Sequence, residues 1–184
     1  MRHFNILGIS GSLRKASYNS AALRLAQQLA PEGVDITLAD ISAIPLYNDD
    51  VRLEGLPPSV VSLGEQIASA DAVMIATPEY NYSIPGVLKN AIDWLSKIDK
   101  QPFDRKPMAI LGASMGAMGT ARSQYDLRKV FVFLNAHLLN HPEIMIASAH
   151  ARFDADGNMT DEKTREMIAA QIVALQEWAM RLRD

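Results

Sequence analysis

One unit recurs along this chain and limits what it can fold into: a short apolar run, then a polar or small-residue loop, then a stretch with apolar residues at helical spacing. Residues 4–9 form the first run, which closes at Gly8 to Gly11, and residues 19–30 follow with Ala22, Leu25, Ala26 and Leu29 on one face. Residues 34–39 and 60–69 read as the second strand and helix, with Gly64 a weak point in the helix. Residues 72–77 are closed by Pro78, and residues 87–98 set Leu88, Ala91, Ile92 and Leu95 in register. Residues 108–113 end in Gly- and Ser-rich sequence before a helix carrying Leu127, Val130, Phe131 and Leu134. Residues 143–147 read as a fifth strand. Residues 161–183 read as a final helix with Ile168, Ile172, Leu175, Ala179 and Leu182 on one stripe and Thr160 as its N-cap. Residues 40–58 are expected to be loop-rich.

Short apolar strands alternating with amphipathic helices call for parallel pairing, because parallel strands need crossovers and are buried on both sides. The expected class is α/β, a doubly wound five-stranded parallel sheet with helices on both faces. A chain of 184 residues, 48% of them hydrophobic, is enough for one well-buried core, so residues 1–184 are expected to form a single domain. In such sheets ligands sit outside the C-terminal ends of the strands, where the strand order reverses. The loops after the first, third and fourth strands are therefore where a site is expected.

The composition removes several classes of function. A formal charge of −3 gives no electrostatic reason to expect nucleic acid. The absence of cysteine excludes disulfides, thiolate chemistry, iron–sulfur clusters and Cys-based zinc sites, so redox work would fall to a bound cofactor. Arg2 and His3 lead straight into a short Ile/Leu run, and no stretch has the ~18 to 20 apolar residues of a membrane span, so a cytoplasmic location is expected. His3, His137, His141 and His150 read as surface or structural histidines, and no metal is expected.

The first loop runs from Gly8 through Ser10, Ser12, Leu13, Arg14, Ser17 and Tyr18 to Asn19, directly into a helix. It offers hydroxyls, an amide, a guanidinium and the N–H groups of a helix N-terminus, the combination that suits a dianionic phosphate. It is not a Walker A loop, since Leu13 stands where the second glycine would fall, and nothing matches G-x-G-x-x-G. A plain turn capped by Ser17 or Asn19 is the competing reading. The second loop, Pro78, Glu79, Tyr80, Asn81, Tyr82, Ser83, Ile84, Pro85 and Gly86, is flanked by prolines that hold its amides rigidly against a planar ligand. On residue type alone, Tyr80 and Tyr82 read as packing within the loop. The third loop contains Ser114, Gly116 and Gly119, whose glycines permit close backbone approach or positive φ.

At these residues the chain resembles the NAD(P)H-dependent FMN reductase family, a flavodoxin-like group that includes quinone, azo-compound and chromate reductases. The resemblance covers nearly the whole chain. Its most specific parts are Gly11-Ser-Leu-Arg14 with Ser17 and Asn19, and Pro78-Glu-Tyr-Asn81 continuing through Ser83, Pro85 and Gly86 to Lys89-Asn-Ala-Ile-Asp-Trp94. It implies strand order 2-1-3-4-5. It implies that Ser10, Ser12, Arg14, Ser17 and Asn19, with Leu13 and Tyr18 on the same loop, hold the FMN phosphate. Pro78, Glu79, Tyr80, Asn81 and Ser83 would then run along the isoalloxazine and ribityl chain, with Ser114 and Gly116 at the remaining edge. It further implies hydride transfer from NADPH or NADH to the flavin N5, passed on to a quinone, flavin or similar small acceptor by a ping-pong mechanism, with no side chain serving as acid, base or nucleophile. Family members are commonly dimers or tetramers.

Two rival readings bind the same cofactor: a flavodoxin-type electron carrier that docks on proteins, and a non-catalytic flavin- or nucleotide-sensing module. Arg14 and Lys15 in the phosphate loop and the small net charge favour the reductase. Arg122 and Asp126 read as a helix ion pair, with an active-site or subunit-contact role for Arg122 also open, and Tyr125, Arg128 and Glu143 are candidates for the same polar cluster. The apolar run Val130-Phe-Val-Phe-Leu134 asks for burial on more than one side, either by a broad core contact or by a second subunit.

Overall fold

The apolar runs of the sequence become the central strands of one parallel sheet in a computed structural model that describes residues 3–183; Arg2 therefore lies outside the described residues. β1 (Phe4–Ser10), β2 (Val34–Ala39), β3 (Ala72–Ala76), β4 (Pro107–Ala113) and β5 (His137–Leu138) lie in the order β2-β1-β3-β4-β5, all parallel. A sixth strand, β6 (Ile144–Ile146), pairs with the far end of β4, from Leu111 to Ala113. The last edge is thus two short pieces rather than the single strand expected at residues 143–147. Pro142, between them, has no N–H to give to a ladder, so pairing stops and resumes.

Side-chain alternation along the strands makes two cores. Ile6, Met74 and Leu111 face α1 (Tyr18–Leu29) and α6 (Glu162–Arg181), while Leu7, Val73, Ile75 and Ile110 face α3 (Pro58–Ser69), α4 (Gly86–Leu95) and α5 (Ala121–Phe133). Gly64 does not interrupt α3: a Cβ there would collide with Ile98, so the glycine lets this helix pack against the chain leaving α4. Within residues 40–58 a six-residue helix, α2 (Asp49–Glu54), forms because Asn48 caps it through the Asp50 N–H at 2.9 Å. The N-cap of α6 is Asp161 rather than Thr160. The Asp161 carboxylate accepts the Thr164 N–H at 3.0 Å, while the Thr160 hydroxyl donates to the Arg152 carbonyl instead. Among the described residues no helix is long and apolar enough to cross a membrane.

The chain turns outward from β1 to β2, then crosses back to place β3 on the other side of β1. Between the C-terminal ends of β1 and β3 the strand order reverses, and this leaves a crevice that no crossover covers.

Candidate functional site

The loops after β1, β3 and β4 meet at that crevice and line an open cleft. Ser12, Arg14 and Ser17 form one end, Pro78 and Tyr80 another wall, and Ala113 and Ser114 the third. Close approach of the first two loops depends on Gly11, where a Cβ would stand 3.1 Å from Pro78 Cδ and 3.2 Å from Pro85 Cγ.

The first loop braces itself and leaves donors pointing outward. Ser17 is the N-cap of α1, its hydroxyl accepting the Ser20 N–H at 3.2 Å. The Ser10 and Ser20 hydroxyls bond each other at 2.8 Å, and Ser10 Oγ and Ser12 Oγ accept the N–H groups of Ser12 and Arg14. The amides of residues 15–19 find no acceptor among the described residues. No acidic residue occupies the first turn of α1, and among the described residues Arg14 has no carboxylate partner. A helix N-terminus, unused N–H groups and an unpaired guanidinium at one point make a site for an anion.

Asn19 has a different role from the one its amide suggested. Its buried side chain donates to the Ala113 carbonyl at 2.9 Å and accepts the Ala113 N–H at 2.9 Å, tying the start of α1 to the end of β4. Asn19 also lines the cleft. Leu13 is half exposed and, with Ser10, lines a neighbouring cavity beside Leu38 and Asp40.

In the second loop Tyr80 and Ser83 exchange backbone hydrogen bonds at 3.2 and 3.0 Å across Asn81 and Tyr82, which have φ of 50° and 67°. Two successive positive φ values make a type I′ turn. Asparagine adopts that conformation readily, whereas tyrosine does so at a cost of about 1 kcal/mol. The turn leaves the N–H groups of Glu79, Asn81 and Tyr82 without acceptors among the described residues. It also turns the tyrosines outward: Tyr80 is 49% and Tyr82 69% exposed, so neither fills the loop interior.

Glu79 anchors this loop. Its carboxylate, 6% exposed, accepts the N–H groups of Arg122 at 3.0 Å and Ser123 at 3.3 Å at the N-terminus of α5, and pairs with the Arg122 guanidinium at 2.5 Å. The α5 N-cap residue, Thr120, makes no side-chain cap of its own, so the second loop caps α5 from a distance. The same guanidinium lies 3.6 Å from the Tyr82 ring centroid. Arg122 therefore does not pair with Asp126. That carboxylate instead accepts the Ser83 hydroxyl at 2.8 Å and pairs with Lys129, and the Ser83 hydrogen bond, then the one from Lys129, holds its carboxyl below the usual range. Tyr125 and Arg128 meet Glu143 at 3.3 and 4.0 Å, apart from Arg122.

The third loop is stitched to the chain after β6. The Ser114 N–H donates to Ile146, its carbonyl accepts from Ala149, and its hydroxyl donates to the Gly119 carbonyl. Gly119, at φ 59°, lies where a Cβ would be 2.9 Å from the Met145 carbonyl carbon, so glycine is required there. Gly116 has open space around it and stands outside the cleft, as do Asn81 and Ser83. Met115 lines the cleft beside Ser114 and was not singled out from the sequence; its position next to Ser114 was the available signal. His3 bonds Asp35 at 2.7 Å, and among the described residues no three histidine or acidic side chains gather as metal ligands.

The model of the family described as NADPH-dependent FMN reductase matches residues 4–151. An NAD(P)H-dependent FMN reductase of Pseudomonas aeruginosa is 61% identical over 178 residues, covering 97% of this chain and 96% of that protein. A quinone reductase of Escherichia coli is 44% identical over 181 residues, covering 97% and 96%. Among solved structures, a flavoenzyme NAD(P)H:(acceptor) oxidoreductase from Paracoccus denitrificans superposes with a TM-score of 0.86 at 36% identity, over 97% of this chain and 98% of that one.

Proposed function

The chain belongs to the NADPH-dependent FMN reductase family, and from that premise we propose that it passes electrons from NAD(P)H to a quinone, a flavin or a similar small acceptor by alternating use of one open site. It is an FMN-dependent oxidoreductase with NAD(P)H as electron donor. The observation that carries the reading is the cleft at the switch point, with Arg14 and free helix amides at one end and the braced second loop, with the free Glu79 N–H, at the other. That arrangement fits FMN, whose phosphate suits the first end and whose planar, acceptor-rich ring suits the second. When bound, FMN supplies a ring that takes a hydride from a nicotinamide and gives up two electrons afterwards.

The protein contributes position and polarity. Arg14, the hydroxyls of Ser12 and Ser17 and the amides of residues 15–19 hold the phosphate. Ser10 braces the loop through Ser20, and Asn19 holds α1 against β4. The free N–H group of Glu79, which lines the cleft, is a donor for the ring's carbonyl and nitrogen edge, where it favours added electron density, and the Glu79 carboxylate fixes its direction by its hold on α5. Ser114 and Met115 border the remaining edge. Donor and acceptor enter by the same mouth, so each must leave before the other binds. Steady-state double-reciprocal plots against a quinone are expected to be parallel; intersecting lines would mean that both substrates are bound together.

We take residues 1–184 as a single FMN-binding domain acting in the cytoplasm. Val132 and Phe133 at the end of α5 are exposed, Phe133 by 88%, beside a groove formed with Ile92 and Val130. Burying such a face favours self-association, so the working form is a homodimer or homotetramer. Light scattering is expected to give a multiple of the 20.2 kDa chain mass, and a fully active monomer would rule this out.

A further inference from the structure

A second, open cavity adjoins the phosphate end of the cleft and shares Arg14, Ser17 and Tyr18 with it. Its other walls are Lys15, Arg24 on α1, and the turn around Asp154 to Gly157. Arg14, Lys15 and Arg24 all line it, and among the described residues none of the three has a carboxylate within ion-pair distance. Two carboxylates share the cavity. One of them, Asp154, is closed on by its own turn: it accepts the N–H groups of Asp156 at 3.0 Å and Asn158 at 2.7 Å and the Asn158 amide at 3.0 Å, which together hold its carboxyl below the usual range. That leaves Asp156 as the one carboxylate with unused acceptor capacity against three unpaired cations.

Two further features shape the cavity. Gly157, at φ 83°, leaves its Cβ side bare, and the Arg24 guanidinium lies there, 3.7 Å from where a Cβ would stand. Tyr18 packs its ring on Phe153, centroids 5.2 Å apart, and presents a fixed aromatic wall. A planar guanidinium, an ammonium and an aromatic face together recognise a phosphorylated purine nucleoside. Because Arg14 serves the first phosphate, Lys15 and Arg24 are the cations left over for a second.

We propose that this cavity holds the adenosine 2′-phosphate end of NADPH, with Arg24 and Lys15 on the phosphate and Tyr18 beside the purine, so that the protein selects NADPH over NADH. The proposal rests on the reading of NAD(P)H as electron donor. It is tested by calorimetric titration of the FMN-loaded protein, whose first phosphate site is then filled, with adenosine 2′,5′-bisphosphate, 5′-AMP and inorganic phosphate. The 2′,5′-bisphosphate is expected to bind about tenfold more tightly than 5′-AMP, and the difference is expected to vanish in the Arg24→Gln variant. The Arg24 side chain is exposed, so the variant keeps its fold. In parallel kinetics, the variant is expected to lose about tenfold in kcat/KM for NADPH and nothing for NADH. Equal binding of the 2′,5′-bisphosphate and 5′-AMP, equal competition by inorganic phosphate, or a matching loss for both nicotinamides would each overturn the proposal. FMN retention, followed by absorbance, reports separately: a protein that keeps no FMN contradicts the reductase reading, while this site is then decided by whether the 2′,5′-bisphosphate preference depends on Arg24, which lines the second cavity and not the cleft.

Discussion

Replacing Arg14 with glutamine is expected to weaken FMN binding by about ten- to a hundredfold and to leave the thermal midpoint unchanged. A hydrogen bond to a charged group contributes roughly 1.5–3 kcal/mol, and each 1.4 kcal/mol is about a factor of ten in affinity. Arg14 is exposed and has no carboxylate partner among the described residues, so its loss takes nothing from the fold. Quenching of FMN fluorescence on titration with apo-protein reads the affinity, and a thermal melt reads the stability. Unchanged affinity would mean that the phosphate is held elsewhere. Ser10 provides a contrast, because its hydroxyl is engaged within the loop, with the Ser20 hydroxyl and the Ser12 N–H.

Gly112→Ala is expected to destabilise the protein by about 3 kcal/mol, a large effect for one methyl group. A Cβ at Gly112 would collide with the Thr120 hydroxyl and with the backbone carbonyl of Thr77. Neither can retreat cheaply. Thr120 is fully buried and its hydroxyl accepts the Gln124 amide at 3.0 Å, while Thr77 is fully buried at the end of β3, its N–H bonded to Leu111 at 2.9 Å. In a domain of this size the thermal midpoint is expected to fall by about 6–12 °C. Thr77 starts the second loop and Thr120 ends the third, so FMN affinity should fall with stability. Gly116→Ala is the matched control: its Cβ would meet only the Ser114 hydroxyl, at 3.8 Å, and its midpoint is expected to stay within about 2 °C of the native value. Equal behaviour of the two variants would show that the β4 end is not held as tightly as this packing implies.

The contrast between those two glycines marks where reading the sequence stops. Residues 72–77 and 108–113 were legible as strands because a central parallel strand is buried on both faces and appears as an unbroken apolar run. The edge was not legible in the same way: two paired residues at His137 and Leu138 carry no periodicity, and only the sheet reveals that β5 and β6 flank the same neighbour. Strand order came from the family resemblance, since alternation of strands and helices permits several orders.

The loop proposed to hold the phosphate is legible because its donors are consecutive in sequence. Asn19 shows the limit of that inference, since an amide beside a helix start can serve a ligand or a distant backbone, and Ala113, 94 residues away, takes it. Arg122 and Asp126 were paired by local spacing on a helix. The real partner of Arg122, Glu79, is 43 residues away, and its nearly buried carboxylate is a stronger attractor because it also satisfies the N–H groups at the start of α5.

The central claim is that this cleft makes the chain an FMN-dependent reductase of small acceptors. Anaerobic stopped-flow absorbance of the FMN-loaded protein tests it most directly, with NADPH added first and a quinone in a second mix. The account predicts rapid bleaching of the oxidised flavin band by NADPH alone, then its full return on addition of quinone, each step complete without the other substrate. Bleaching that never occurs, or that is reversed only by a protein partner and not by the quinone, would contradict it.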